Sequence, residues 1–175
     1  VIKTLNTGVY PLWAAFDPGL NKLFITNHNG GSLTVIDGNT DTVQATIGDL
    51  GSGVFGVAVD AVTHRVYVTA RDSDWVSVVD GNTNTQIWGE RIYTSGREPF
   101  AVAVKSNSQV YVSYRNRSTD STPDRLAIYY AAGGHGLVAD LYLGAGANAE
   151  GEMAYSTASN RLYIPESGPN PTGAV

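Results

Sequence analysis

One unit recurs four times along this chain, and a recurring unit limits the fold more than any single residue can. Its middle stretch joins an aromatic ring to aliphatic neighbours and, in three copies, a hydroxyl. The four versions are Leu23-Phe24-Ile25-Thr26-Asn27, Val66-Tyr67-Val68-Thr69-Ala70, Val110-Tyr111-Val112-Ser113-Tyr114 and Leu162-Tyr163-Ile164-Pro165-Glu166. Phe24 to Tyr67 is 43 residues, Tyr67 to Tyr111 is 44, and Tyr111 to Tyr163 is 52. Several short β-type runs within a period of that length predict an all-β fold, a β-propeller of four-stranded antiparallel blades.

Each period divides into four expected strands, A to D. Strand A is Trp13 to Asp17, Gly56 to Asp60, Ala101 to Lys105 and Met153 to Ser156, with Ala15, Ala58, Ala103 and Ala154 at one shared place. A small side chain there lets strands crowd near an axis. Strand B is the aromatic run. Strand C is Leu33 to Asp37, Val76 to Asp80 and Leu126 to Tyr130, and strand D is Val43 to Ile47, about Thr85 to Tyr93, and Leu137 to Leu143. The B and C runs are apolar at both side-chain parities, as Val66, Tyr67 and Val68 show. A sheet with one wet face would alternate, so both faces of each blade are expected to be covered. Residues 146–158 have helix-friendly composition, but Gly151 and the register of the repeat favour a strand.

The ends are uneven. Val1 to Thr7 is expected as a D strand with no A, B or C before it, and the fourth copy stops after strand B. The expected pieces are 1–7, 10–47, 54–93, 99–143 and 151–175, all within one propeller domain or a fragment of one. Closed propellers have 4–8 blades. We expect a segment of a longer, seven-bladed ring; a four-bladed ring using residues 1–7 as its last outer strand is the other arrangement the pattern allows.

Composition narrows the function. The 175 residues are 42% hydrophobic and 15% charged, which excludes disorder on compositional grounds. A net charge of −5 without a basic run argues against a nucleic-acid surface. No apolar stretch is long enough for a membrane span. There is no cysteine, so disulfides and thiolate-held metals are excluded for this segment. Only three lysines occur, with Thr, Asn, Gly and Ser filling the polar positions, a composition common on exported surfaces.

The repeat resembles the YVTN β-propeller family, named for the strand B motif, here Phe24-Ile25-Thr26-Asn27, Tyr67-Val68-Thr69-Ala70, Tyr111-Val112-Ser113-Tyr114 and Tyr163-Ile164-Pro165-Glu166. Gly8-Val9-Tyr10-Pro11 and Gly96-Arg97-Glu98-Pro99 before strand A, and the Asp-Gly-Asn-Thr endings at 37–40 and 80–83, belong to the same resemblance. It weakens in the third copy, where Tyr129-Tyr130-Ala131 replaces Asp-Gly. The resemblance implies the propeller fold and an extracellular, cell-surface or periplasmic location. It implies no single reaction, since related propellers include lactonases and haem-bearing nitrite reductases.

Several motifs look chemical. Asp37-x-Asn39-x-Asp41 and Asp80-x-Asn82-x-Asn84 imitate the start of a calcium loop, but Thr42 and Thr85 stand where the sharp turn needs Gly, and Gly48 and Arg91 where a bidentate Glu belongs. They are expected as hairpin turns whose Asp caps backbone N–H groups. Gly51-x-Gly53-x-x-Gly56 matches a dinucleotide fingerprint, yet a strand rather than a helix is expected to follow. Asp72-Ser73-Asp74 supplies two carboxylates, too few to hold a cation alone. His28 falls in a B–C link and His64 and His135 in A–B and C–D links, at opposite ends of a propeller, so surface histidines are expected. Asn116-Arg117-Ser118 fits a glycosylation sequon. No metal and no cofactor are expected.

The remaining constellation is positional. The D–A and B–C links share one end of a propeller and carry Arg71, Arg97, Arg115, Arg117 and Arg125, beside Trp75 and Tyr114. Glu150 and Glu152 fall where the last link meets strand A. Arginine forks beside aromatic rings suit carboxylate, phosphate or sugar-acid ligands. Arg71, Arg97, Arg115, Tyr114, Glu150 and Glu152 are therefore the candidate ligand residues, with an anionic small molecule as candidate ligand and no catalytic residue assigned. The expected function is an exported, non-catalytic scaffold that binds other proteins or its own copies through loops and blade edges, above all residues 114–125. The alternatives are a lactonase- or lyase-type enzyme, or a haem propeller with its ligands in other blades.

Overall fold

The alternation of short apolar runs and Asn/Asp/Gly turns folds as the repeat predicts. A computed structural model describes residues 3–95, 97–116, 124–143 and 151–165. The first sheet has β1 (Pro11–Asp17), β2 (Lys22–Asn27), β3 (Ser32–Asp37) and β4 (Thr42–Ile47) in that spatial order, all antiparallel. The second has β5 (Val54–Asp60), β6 (Arg65–Ala70), β7 (Trp75–Asp80) and an outer strand broken into β8 (Thr85–Gln86) and β9 (Ile92–Tyr93), both paired with β7. The third has β10 (Arg97–Lys105), β11 (Gln109–Asn116), β12 (Arg125–Tyr130) and β13 (Leu137–Tyr142). A two-stranded piece, β14 (Ala154–Ser156) with β15 (Arg161–Tyr163), follows.

Sheets stack face to face because each blade is apolar at both parities. Phe24, Leu33 and Val35 of the first blade meet Val57, Val66, Val68 and Val79 of the second. On the opposite face of the second blade, Tyr67, Val76 and Val78 meet Val102, Val110 and Val112 of the third. Tyr111 and Leu126 then pack on Met153 and Leu162. One face of the first blade, carrying Phe16 (50% exposed), has no neighbouring blade among the described residues.

The A strands run further than the apolar pattern suggests. β1, β5 and β10 start at Pro11, Val54 and Arg97, and each shifts register once, between Pro11 and Ala14, Val54 and Val57, and Pro99 and Val102. This is one β-bulge repeated in three blades, and it is the irregularity at which a pattern reading stops. The hydroxyl of the B-strand motif answers it. Trp13 N donates to Thr26 Oγ1 at 3.1 Å, Gly56 N to Thr69 Oγ1 at 2.7 Å, and Ala101 N to Ser113 Oγ at 3.1 Å. Thr69 Oγ1 also donates to Phe100 O of the next blade at 2.7 Å. A Cβ placed on Gly56 would lie 2.7 Å from that same carbonyl, so glycine sets the spacing of β5 and β10.

The A–B turns repeat equally closely. Asn21, His64, Asn107 and Asn160 take φ values of 51°, 57°, 53° and 54°, the left-handed region where Asn is comfortable and His is rarer. Asp17 Oδ1 caps its own turn through Gly19 N and Leu20 N, while Oδ2 meets His64 Nδ1 of the next blade at 2.8 Å. Asp60 does the same, accepting from Val62 N and from Asn107 N of the third blade. Buried Lys22 crosses the first seam to Gly81 O at 2.7 Å and Asn84 Oδ1 at 3.1 Å.

Three expectations change. Residues 3–7 pair with no strand among the described residues. The outer strand of the second blade is interrupted by a 3-10 turn at Trp88–Glu90. His135 is buried, at 6% exposed, rather than superficial. Its Nδ1 lies 2.8 Å from Tyr130 O and its ring packs edge-on against Tyr67.

Candidate functional site

The candidate arginines do not form one site. Arg71 and Arg115 converge, their guanidinium groups 5.8 and 5.1 Å from the ring centre of Phe100. Each is already paired, Arg71 with Asp72 at 2.8 Å and Arg115 with Glu98 at 3.1 Å. Arg97 and Tyr114 belong to a second cluster around Asp140 of β13. Arg97 Nη1 and Arg125 Nε each lie 2.9 Å from Asp140, and the Tyr114 hydroxyl donates to it. Burial and the Asp140 bond push the Tyr114 phenol up to about 12, so it stays neutral. Burial works to raise the Asp140 carboxyl, but hydrogen bonds from Tyr114, Arg125 and Arg97 outweigh it and hold the group below its ordinary value. These arrangements fasten strands together and leave little charge for a ligand.

Glu152 is exposed, and surrounding protein raises its carboxyl above the ordinary glutamate value. Glu150, Arg117 and most of the 114–125 loop lie outside the described residues. The calcium-like motifs are hairpin turns in which Asp37 Oδ1 caps Asn39 N at 2.7 Å and Asp80 Oδ1 caps Asn82 N at 2.8 Å. Among the described residues no three His, Cys, Asp or Glu gather as a cation would require.

The structure offers a different site. A cleft of about 790 Å³ lies over the seam between the first two blades. The B–C turn at Gly30 and Gly31 and the D–A link at Gly51 to Gly53 contribute to its lining. The D–A link is held in place: the Leu50 carbonyl accepts from Trp75 Nε1 at 2.9 Å and from Ser77 Oγ at 2.8 Å. The side chains of His28, Asn29, Asp49, Asp72, Trp75, Trp88 and Arg91 complete the lining. Arg91 is the central feature. Its guanidinium carbon lies 4.1 Å from the Trp75 ring centre and 4.8 Å from that of Trp88, a planar cation between two indoles. With the Gln86 amide turned to satisfy both its atoms, Nη2 donates to the Gln86 oxygen at 2.9 Å. Arg91 Nε has no acceptor, and no carboxylate pairs with Arg91 among the described residues.

Sequence reasoning named Trp75 but missed Arg91 and Trp88, because both fall in an outer strand. A signal was present. From the rung that follows the C–D turn to the rung opposite the start of strand C, the first blade runs Thr42 to Ile47, while the second runs Thr85 to Ile92, two residues longer. That insertion is the 3-10 turn bearing Trp88.

Stacked four-stranded sheets, with bulged inner strands converging and a polar or broken strand outermost, are a propeller arrangement, and the solved structures agree. The fold is a β-propeller. The chain is similar to a chain of a mitotic checkpoint complex, with a TM-score of 0.75 and 11% identity over 94% of this chain and 49% of that one. It is similar to a chain of a nidogen–laminin complex, with a TM-score of 0.70 and 14% identity over 90% and 57%. It is also similar to U3-55K, with a TM-score of 0.67 and 11% identity over 85% and 43%. The chain thus spans about half the length of these propellers. No family model matches it, and no curated protein does.

Proposed function

We propose that this chain is a binding and assembly scaffold of the exported YVTN-type propeller class, acting through an outer blade edge rather than through chemistry. The observation that carries this is β13. A D strand has one free edge, and native proteins usually blunt such an edge with lysine, proline or polar side chains. β4, reading Thr-Val-Gln-Ala-Thr-Ile, is blunted in this way. β13 reads Leu-Val-Ala-Asp-Leu-Tyr and leaves Leu137, Val138, Leu141 and Tyr142 between 40% and 57% exposed. Its single charge, Asp140, is committed to Arg97 and Arg125. Among the described residues no strand pairs with the outer edge of β13, and an apolar edge of this kind suits strand addition by another protein or by a second copy. The propeller neighbours come from structures titled as complexes, which supports a protein-binding role. The low lysine content and the repeat motif support export.

Light scattering across a concentration series tests the edge. The protein is expected to associate as concentration rises, and Val138→Lys with Leu141→Lys is expected to abolish association while leaving the circular dichroism unchanged. A protein that stays monomeric throughout, and whose edge variants behave identically, would remove β13 from the reading. Protease digestion of intact cells tests location, with cleavage without lysis expected.

A further inference from the structure

We propose that the cleft between the first two blades binds a uronate, a saccharide ring bearing a carboxylate. This site is separate from the β13 edge and does not depend on it. Three observations lead to the ligand class. First, a cleft of about 790 Å³ fits a mono- or disaccharide. Second, Arg91 brings a full positive charge to the wall with no carboxylate partner among the described residues. The two indoles hold its fork flat, so little motion is lost when it grips a planar carboxylate. Asp72, which also lines the cleft, is already matched by Arg71 at 2.8 Å. Third, the rest of the lining suits a ring with hydroxyls. Trp88 is 60% exposed and offers an apolar face to the C–H side of a sugar. Asp49 and Asn29, also in the lining, can take hydroxyl hydrogens. His28 donates Nδ1–H to Val54 O at 3.0 Å, which leaves Nε2 as an acceptor.

The lining also decides against simpler ligands. A bare anion would meet Arg91 but leave Trp88 uncovered and bring no hydroxyl to Asp49. A neutral sugar would stack but leave the guanidinium unmatched. A uronate engages both the guanidinium and the indole.

The test is a titration followed by tryptophan fluorescence, since Trp75 and Trp88 are two of the three tryptophans and both line the cleft. Four probes are compared: glucuronate, glucose, acetate and inorganic phosphate. Glucuronate is expected to give a saturable change, with glucose and acetate each weaker by about ten-fold or more. Arg91→Gln is expected to erase the preference for glucuronate over glucose, and Trp88→Ala to weaken glucuronate by about ten-fold. Oligogalacturonate binding more tightly than the monosaccharide would place the uronate in a polymer; the reverse order would place it in a free sugar. Equal binding of acetate or phosphate and glucuronate would overturn the saccharide. Equal binding of glucose would overturn the role of Arg91, and no saturable response would overturn the site. The wild-type ranking decides the matter even if a variant misfolds.

Discussion

The Thr of the B-strand motif has a specific physical task. Each A strand bulges once, the bulge frees a backbone N–H, and a hydroxyl two positions past the aromatic residue accepts it. Thr69 does more, because it also donates to Phe100 O across the seam and is completely buried. Thr69→Val keeps the shape but orphans both groups. It is expected to lose about 2 kcal/mol in urea unfolding, against under about 1 kcal/mol for Ser113→Thr, which keeps the hydroxyl. Ionisable residues add a pH dependence. The Arg65 fork lies 2.6 Å from both Glu90 oxygens and holds that carboxyl below its ordinary value, with His135 also facing it at 3.6 Å. Asp140 is depressed too. A depressed carboxylate contributes fully above the unfolded value, about 4, and the contribution is lost as pH falls through the lower folded value. Thermal stability is therefore expected to drop below about pH 4, and Glu90→Gln to flatten that drop. A melting series from neutral to acid pH checks both.

At the scale of elements, strand identity was legible in the sequence wherever the repeat holds. The cores of β2, β3, β6, β7, β11 and β12 follow from apolar runs bounded by turn residues. Three features were not legible. The bulges hide because a strand with one extra residue breaks the period-2 pattern at that point. The pairing of Arg115 with Glu98 hides because it joins two strands, whereas neutralisation of Arg71 by Asp72 is readable from their adjacency. Arg91 hides because an outer strand is assumed to be plain, and only its two extra residues betray it. Close approach of β5 and β10 at Gly56 gives a further expectation. Gly56→Ala must push Phe100 O aside, so a loss of about 2 kcal/mol is expected, whereas Gly48→Ala, in open space, is expected to be neutral. Chemical denaturation of both variants checks it.

At the scale of the molecule, stability follows from stacking. The second blade is the only described one covered on both faces by complete four-stranded sheets, and β6 is wholly buried from Val66 to Ala70. Amides of β6 are expected to exchange slowest and those of β1 and β14 fastest, which native-state hydrogen exchange can rank. Parity has one more outcome. Tyr67 leans toward the third blade and bonds Ala131 O, while Val68, the next residue, leans toward the first. Adjacent in the chain, the two side chains answer to different joints. Losses from Tyr67→Phe and Val68→Ala should therefore sum to within about 0.5 kcal/mol in the double variant, as for distant sites. A molecule jointed in this way can loosen or tighten one hinge line without retuning the next, and neighbouring letters of its sequence are free to drift on separate terms.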